Sequence, residues 1–172
     1  TVSSEDFWRY TVGCAVLSDL LARRAVISRA EAEEAFVIGI LHPIGRALLI
    51  QHFPVEYNQV IAQAKDQKTS TEHQEKKVFS LDNHAIGLNM VDRGKLPPIV
   101  ADGISFQNEP HKSSLRSTRI LSIAIHHIKK NRIGFCGDWI PHPISDEVYE
   151  SLSLTRDGVT ALVEENLEEE LA

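Results

Sequence analysis

The sequence predicts an all-α fold, a helical bundle of about eight to ten helices. Apolar residues recur at steps of three and four in several segments, which is the period of an amphipathic helix. No segment shows the alternation that is typical of a strand. The 172 residues, 42% of them hydrophobic and 24% charged, have the length and composition of one ordinary globular domain. We therefore expect residues 1–172 to form a single helical domain.

The first two helices have clear sequence signals. We expect the first helix over residues 4–24, because its apolar residues fall on one stripe. Ser28, followed three residues later by Glu31, has the form of a capping box and opens the second helix. Since proline disfavours helical geometry in the residue before it, Pro43 predicts a break at His42. The stripe of the first helix consists of Phe7, Trp8, Val12, Ala15, Val16 and Leu20.

The middle of the chain contains shorter predicted helices. A helix over residues 44–53 is expected to be closed by Pro54. Thr69 and Glu72 form a second candidate capping box, which would open a polar helix. Asp82 is expected to cap a further helix, which ends at Gly94. The pair at positions 97 and 98 consists of prolines, which suit the first turn of the next helix.

The C-terminal part follows the same pattern. Residues 108–114 are expected to form a polar loop, residues 115–130 a helix buried on one side, and residues 134–143 a structured loop. Ser145 is a candidate cap for the segment that follows. The last helix is predicted from Thr155, with five glutamates between positions 164 and 170 on a solvated face. Its apolar face would consist of Val159, Leu162, Val163, Leu167 and Leu171.

Composition argues against several classes of protein. The net charge of -6 gives little general attraction to phosphate backbones, so we expect no nucleic-acid partner. Cys14 and Cys136 are too few and too far apart for a disulfide framework, which indicates a reducing compartment. No stretch approaches the roughly 20 uninterrupted apolar residues of a membrane helix. We therefore expect a cytoplasmic protein with no membrane contact.

The eight histidines are the residues with the most chemical interest. His126 and His127 are adjacent on a predicted helix, so they point about 100° apart and cannot both face one metal ion. His42 ends a nearly continuous apolar stretch, where a polar ring should be buried and must have a partner. Its residue type and position fit either a hydrogen-bonded core histidine or a metal ligand.

The segment at positions 39–46, Gly-Ile-Leu-His-Pro-Ile-Gly-Arg, resembles the Gly-Leu-Leu-His-Asp-Ile-Gly-Lys metal signature of HD phosphohydrolases. With the motifs that follow, the chain resembles the HDOD (HD-related output domain) family of the HD-domain superfamily. The segment at positions 82–87 is similar to the Asp-His-Ala-x-Val-Gly helix start of HDOD proteins. Further similarities involve Phe7, Trp8, Tyr10, Ala15, Leu96, Pro97, Ile104, Glu109 and Pro110. The resemblance implies an HD-domain-like helical bundle over most of the chain.

The same resemblance implies that the metal site is degenerate. Of the family's ligand positions only His42 and His84 are retained. A metal that activates water needs several imidazole or carboxylate ligands and an open position, so we expect no bound metal, no cofactor and no catalytic residue. Tyr10 and Trp8 are expected to pack over the former site, with His42 and His84 hydrogen-bonded to each other or to Gln107. The replaced ligand positions are Tyr10, Pro43, Gln107, Asn108 and Ile125.

Three functions follow from the resemblance. The first is a non-catalytic output domain that acts through protein–protein contacts in bacterial signal transduction. Its partner would be another protein, a second copy of the chain, or a helical segment that precedes Thr1, since the chain begins without methionine and the family has a further helical half.

The other two functions use the former metal site directly. One is a residual metal-dependent phosphohydrolase on a nucleotide or cyclic dinucleotide, which would require Asp82, Glu109 or His111 to converge on His42 and His84. The other is a small-molecule sensor. Its pocket would be formed by Arg46, Gln107 and Asn108, and the arginine could hold a phosphate with two hydrogen bonds.

Overall fold

The computed structural model describes residues 1–170, and the side chains through residue 165. Within this part of the chain all regular structure is helical, which confirms the all-α prediction and the expected number of helices. A 3-10 turn at Pro110–Lys112 lies between the seventh and eighth α-helices. The α-helices are α1 (Ser4–Arg24), α2 (Arg29–Leu41), α3 (Ile44–His52), α4 (Pro54–Gln67), α5 (Thr71–Phe79), α6 (Asn83–Gly94), α7 (Pro98–Phe106), α8 (Arg116–Lys130), α9 (Asp146–Glu150) and α10 (Arg156–Glu170).

Local capping signals fix several helix starts where the sequence predicts them. The Ser28 hydroxyl accepts a hydrogen bond from the Glu31 backbone N–H at 3.3 Å, and the Glu31 carboxylate accepts one from the Ser28 N–H at 2.8 Å. This reciprocal pair confirms the capping box of α2. Asp82 caps α6, because its carboxylate accepts from the Ala85 N–H at 2.9 Å.

The end of α3 before Pro54 is as predicted, and Pro54 itself occupies the first turn of α4, where the missing N–H of proline costs no hydrogen bond. The predicted start of α5 is wrong. The candidate box of Thr69 and Glu72 does not form, because the N-cap of α5 is Ser70, one residue later, and no side chain caps the helix. The Thr69 hydroxyl instead accepts a hydrogen bond from the Gln74 amide at 2.9 Å.

Helix α1 packs on α2 through a very close backbone approach. A Cβ atom added at Gly39 would lie 2.6 Å from Cα of Ala15, so only glycine allows this spacing. The side of α1 that faces the core carries Tyr10, Cys14 and Leu17. The apolar stripe found in the sequence is only partly buried, because Trp8 is 59% exposed.

Helix α8 lies at the centre of the fold. We expected it to be buried on one side, but side chains all around it are buried, including Ser122 and Lys129. It packs against α1, α2 and α7, so neighbours cover more than one face. The apolar residues of α8 that are completely or almost completely buried are Ile120, Leu121, Ile123, Ala124, Ile125 and Ile128.

The segment Arg29–His52 has the length and hydropathy of a membrane span, which corrects the expectation that no segment would. Its composition is also that of a core helix, and 44% of its most apolar window is buried inside the protein. A break at Pro43 divides it into α2 and α3.

In α10, Val159, Leu162 and Val163 are buried as predicted. The predicted positions of Leu167 and Leu171, and of the last three glutamates, lie outside the residues whose side chains are described.

Candidate functional site

His42 is a buried, fully hydrogen-bonded residue between α2 and α3. Its Nδ1 lies 2.8 Å from the carbonyl oxygen of Gly39, which can only accept, so Nδ1 carries the proton. Nε2 is therefore the acceptor, and the hydroxyl of Tyr10 donates to it at 3.2 Å. Burial lowers the pKa of His42 to about 3. The ring is thus neutral, and the lone pair that would ligate a metal is occupied.

The partners of His42 differ from those that the sequence predicted. The expected partners were His84 and Gln107, but the Gln107 amide donates to the carbonyl of Ile104 at 3.2 Å. Tyr10 packs over the site as expected, with its ring centroid 5.7 Å from that of His42. Trp8 does not, because the helical turn directs it to the exposed side of α1.

The replaced ligand positions converge on one small cavity. Its volume of about 10 Å³ gives room for roughly one water molecule. His84 lies close enough for its charge to lower the pKa of His42, and its neighbour Asn83 lines the cavity. Around the cavity stand Tyr10, His42, Pro43, Gln107, Asn108 and Ile125. The structure therefore brings together residues that are more than 100 positions apart in the chain.

Two cations line the same cavity. Arg46 is 4% exposed, and its Nη2 donates to Glu72 at 2.6 Å. Its Nη1 lies 3.0 Å from the sulfur of Cys136. Lys129 is 3% exposed and donates to Asp138 at 2.7 Å. Both cations are therefore paired with a carboxylate inside the protein.

Hydrogen bonds from neighbouring elements hold these carboxylates in place. Glu75, whose carboxylate lies 3.7 Å from Nε of Arg46, accepts from the Tyr57 hydroxyl at 2.8 Å. It also accepts from the backbone and side chain of Asn83 at 2.7 and 2.8 Å. Asp138 accepts from the hydroxyl of Thr71 at 2.9 Å. Such bonds satisfy the oxygens of Glu75 and Asp138, as a buried ion pair requires. Oε2 of Glu72 and Nε of Arg46, in contrast, have no hydrogen-bond partner among the described residues.

The carboxylates of Glu72 and Asp138 are ionised. Burial opposes the charge of Glu72, but Arg46 and Lys129 outweigh burial and hold the pKa of Glu72 well below its usual range. For Asp138 burial likewise opposes ionisation, while Lys129 and Arg46 lower its pKa. The site is thus an internal salt-bridge network in which the protein supplies both signs of charge.

The alternative metal ligands do not converge on His42. Asp82 caps α6 and forms an ion pair with Lys76 at 3.0 Å. Glu109 is exposed and pairs with Lys112 at 2.7 Å. His111 lines a different crevice. Within the described part of the chain, no three His, Cys, Asp or Glu side chains are placed to hold a metal ion.

Four members of the network were missed in the sequence. Glu72 was assigned to a helix cap, and Glu75, Lys129 and Asp138 were not singled out. Charged residues are mostly exposed, so the sequence does not predict that a lysine in a helix is buried. One signal was available, because Lys129 lies one turn after Ile125, on the apolar face of the predicted helix over residues 115–130. Arg46, Gln107 and Asn108 do line one cavity, but the guanidinium is already bonded to Glu72.

A family comparison matches most of the chain. The model of the HDOD domain matches residues 1–110. None of the curated proteins matches the chain.

Solved structures share the fold. A crystal structure of an HDOD domain protein of unknown function from Geobacter sulfurreducens superposes with a TM-score of 0.76 and 18% identity, over 95% of this chain and 59% of that one. A proposed signal transduction protein from Marinobacter aquaeolei VT8 gives a TM-score of 0.78 and 19% identity, over 96% and 36%. A proposed phosphohydrolase from Shewanella amazonensis SB2B gives a TM-score of 0.65 and 24% identity, over 100% of this chain and 66% of that one. This chain thus spans less than two thirds of each protein.

Proposed function

Because the chain belongs to the HDOD family, we propose that it is a non-catalytic regulatory module that acts through protein–protein contacts in bacterial cytoplasmic signal transduction. The family match confirms the resemblance that the sequence motifs predicted. A protein with the same fold from Marinobacter aquaeolei VT8 is a proposed signal transduction protein, which supports a signalling role.

The observation that carries the non-catalytic proposal is the position of Arg46 and Lys129 at the degenerate site. Both cations line the cavity on which the replaced ligand positions converge. A divalent ion in that cavity would be repelled by two buried positive charges, and charges interact strongly where water is excluded. The carboxylates that could offset its charge are already paired with these cations. The network supplies the charge balance that a metal would otherwise provide.

Hydrolysis of a phosphoester by this site would also lack its nucleophile. A metal-bound hydroxide requires a metal with an open position, and the Nε2 lone pair of His42 is taken by Tyr10. The cavity is also too small for the alternative function as a small-molecule sensor. Its volume is about 10 Å³, whereas a small-ligand pocket has roughly 300 Å³ or more. These observations support a function that is carried out by the protein surface.

The test combines metal content, stability and activity. The full chain, purified without chelator, is analysed by plasma mass spectrometry, and its thermal melt is recorded with and without zinc, manganese and nickel. We expect metal far below stoichiometry, an unchanged melting temperature and no hydrolysis of bis-p-nitrophenyl phosphate. A ligand that binds only the folded state must raise its stability.

A variant of His42 shows whether any metal that binds does so at the cavity. His42→Gln removes the imidazole that lines the cavity. Near-stoichiometric metal and a higher melting temperature that both disappear in His42→Gln would overturn the proposal. A metal effect that persists in this variant would belong to a histidine elsewhere and would leave the proposal standing.

A further inference from the structure

A surface pocket lies between the first turns of α1 and the loop that follows α8. Its volume is about 500 Å³, within the roughly 300–1,000 Å³ of small-molecule sites. It shares no lining residue with the small cavity beside His42, so it is a separate feature of the surface. The polar and aromatic residues that line it are Asp6, Arg9, Asn131, Arg132, Phe135 and Trp139.

Two arginines in this pocket are free to bind an anion. Arg9 and Arg132 are both exposed, and within the described part of the chain neither is paired with a carboxylate. A guanidinium matches the geometry of a phosphate, to which it can donate two parallel hydrogen bonds. Asp6 lines the pocket as well, but its carboxylate accepts from the Ser3 hydroxyl at 2.7 Å. With two cations and one carboxylate, the pocket attracts a phosphate.

The elements that carry the two arginines are fixed to each other. Gly134 has a φ of +62°, and a Cβ atom there would lie 2.1 Å from the backbone nitrogen of Tyr10. The loop therefore touches the backbone of α1 directly, which only glycine allows. The Phe135 N–H also donates to the carbonyl of Asp6 at 2.9 Å. A site between elements that are already fixed loses little conformational freedom when a ligand binds.

The end of α8 is closed by its own hydrogen bonds. The N–H of Ile133 donates to the carbonyl of Ile128 at 3.1 Å, and the N–H of Arg132 donates to that of Lys129 at 3.2 Å. This pair of bonds is a Schellman motif, and it occupies carbonyl oxygens that would otherwise repel an anion. Arg132 has a φ of +55°, a conformation that favours glycine. An arginine here is therefore not required for the stability of the turn.

Two aromatic rings line the same pocket. The rings of Phe135 and Trp139 have centroids 4.9 Å apart and are tilted by 41°, and both side chains are only half-buried. A nucleobase stacks favourably on an accessible aromatic face of this kind. The Asn131 amide nitrogen donates to the carbonyl of His127 at 2.8 Å, so its side-chain oxygen can accept from a base N–H. The pocket thus combines cations for a phosphate with an aromatic face and an acceptor for a base.

We propose that this pocket binds a mononucleotide, with its phosphate on Arg9 and Arg132 and its base against Trp139. The net charge of -6 disfavours a long polyanion, so a single nucleotide fits the chain better than a nucleic acid. The proposal goes beyond the proposed function, because it gives the regulatory module a small-molecule signal. Neither proposal depends on the other.

The first experiment uses tryptophan fluorescence. The chain has two tryptophans, so Trp8→Phe leaves Trp139 as the only one, and Trp8 does not line this pocket. The full chain with this change is titrated with AMP and with GMP between about 1 µM and 5 mM, a range that covers weak ligands. We expect saturable quenching of the Trp139 emission, because the base stacks on the indole. A parallel titration of free tryptophan corrects for light absorbed by the nucleotide.

Two partial ligands separate the phosphate contact from the base contact. Adenosine retains the base without the phosphate, and inorganic phosphate retains only the anion. Each should bind at least about tenfold more weakly than AMP, because each loses one group of contacts. Inorganic phosphate is detected by its competition with AMP, since it has no ring that could quench the indole.

The second experiment removes one guanidinium without weakening the fold. Arg132→Gly places glycine where the backbone favours it, so the melting temperature should be kept or raised, while the dissociation constant of AMP should rise at least about tenfold. Lys95→Gly is the matched control. Lys95 is an exposed cation with a φ of +50° at the end of α6, and it lies outside the pocket. This control should leave the dissociation constant unchanged.

Three results would overturn the proposal. One is the absence of saturable quenching by both nucleotides. Another is binding of adenosine or of inorganic phosphate as tight as that of AMP, which would exclude a site that recognises both parts of a nucleotide. The third is an equal effect of Arg132→Gly and Lys95→Gly on the dissociation constant. None of these results bears on metal content or hydrolysis, so the non-catalytic proposal is tested separately.

Discussion

The Tyr10 hydroxyl donates a hydrogen bond to Nε2 of His42 over 3.2 Å, deep inside the protein. This contact joins the first helix to the junction of the second and third. The sequence motifs predict that Tyr10 replaces the family's first metal-binding histidine and that His42 is one of two ligand histidines that are retained. A contact between two protein side chains therefore occupies a lone pair that could otherwise bind a metal.

Loss of this hydrogen bond should lower the stability of the protein by a measurable amount. Tyr10→Phe leaves Nε2 of His42 buried without a donor, so we expect the free energy of unfolding in urea to fall by about 1–3 kcal/mol. A double-mutant cycle with His42→Leu isolates the pair, since each single variant strands the other partner. A coupling energy close to zero would show that the contact contributes nothing.

Arg46 should be among the most sensitive positions in the chain. Arg46→Met leaves the carboxylates of Glu72 and Glu75 buried without their cation, and such a change costs about 3–5 kcal/mol. Arg29→Met is the matched control, because Arg29 pairs with Glu33 at 2.9 Å on the surface with its side chain 93% exposed. The control should change stability by less than about 1 kcal/mol. Similar losses for both variants in urea denaturation would contradict the buried network.

The crossing of α3 and α6 tolerates no side chain at Gly45. A Cβ atom there would lie 1.9 Å from the carbonyl oxygen of Asn83 and 2.7 Å from the backbone nitrogen of Gly87. Because both contacts are with backbone, Gly45→Ala must separate the helices, and we expect a loss of about 3 kcal/mol or more in thermal and urea unfolding.

Gly94 provides the control for that substitution. A Cβ atom at Gly94 would meet only the side chain of Leu96, at an ordinary 3.5 Å. Gly94→Ala should therefore keep or raise stability, by up to about 1 kcal/mol, because alanine favours the helix. A tolerated Gly45→Ala would mean that the two helices do not approach as described.

Stability should fall as the pH is lowered below about 6.5, the pKa of histidine in an unfolded chain. Burial lowers the pKa of His42 to about 3 and that of His127 to about 4, so the folded protein does not bind these protons and the unfolded chain does. The stabilisation from these two neutral histidines is complete above pH 6.5. Below that pH the free energy of unfolding falls by up to about 1.4 kcal/mol per pH unit for each histidine.

Urea denaturation between pH 7.5 and 5 measures this dependence. The stabilisation from ionised Glu72 and Asp138 is also lost on acidification, but only below the ordinary pKa values of carboxyl groups, near 4. The histidines therefore dominate the change in stability between pH 7.5 and 5. His127→Gln should reduce the slope. An unchanged slope in this variant would show that His127 is not protonated on unfolding in this range.

Much of the secondary structure could be predicted because its signals act over a few residues. The limits of α1, the capping box at Ser28 and the cap at Asp82 all follow from side chains within three or four positions of the backbone they bind. Helix α1 shows the limit of such reasoning. Its apolar residues fit the helical period on more than one side, so periodicity could not decide which of them are buried.

The sequence by itself determined the helical class, most helix boundaries and the family, and it predicted which ligand positions are replaced. Only the tertiary structure decided what fills the former site. Arg46, Glu72, Lys129 and Asp138 come from separate elements, and the bond from Arg46 to Cys136 spans 90 positions. A charged side chain in a polar or helical segment has the same local pattern whether it is solvated or paired in the core. Burial and partners depend on how the helices pack, and that information is not local.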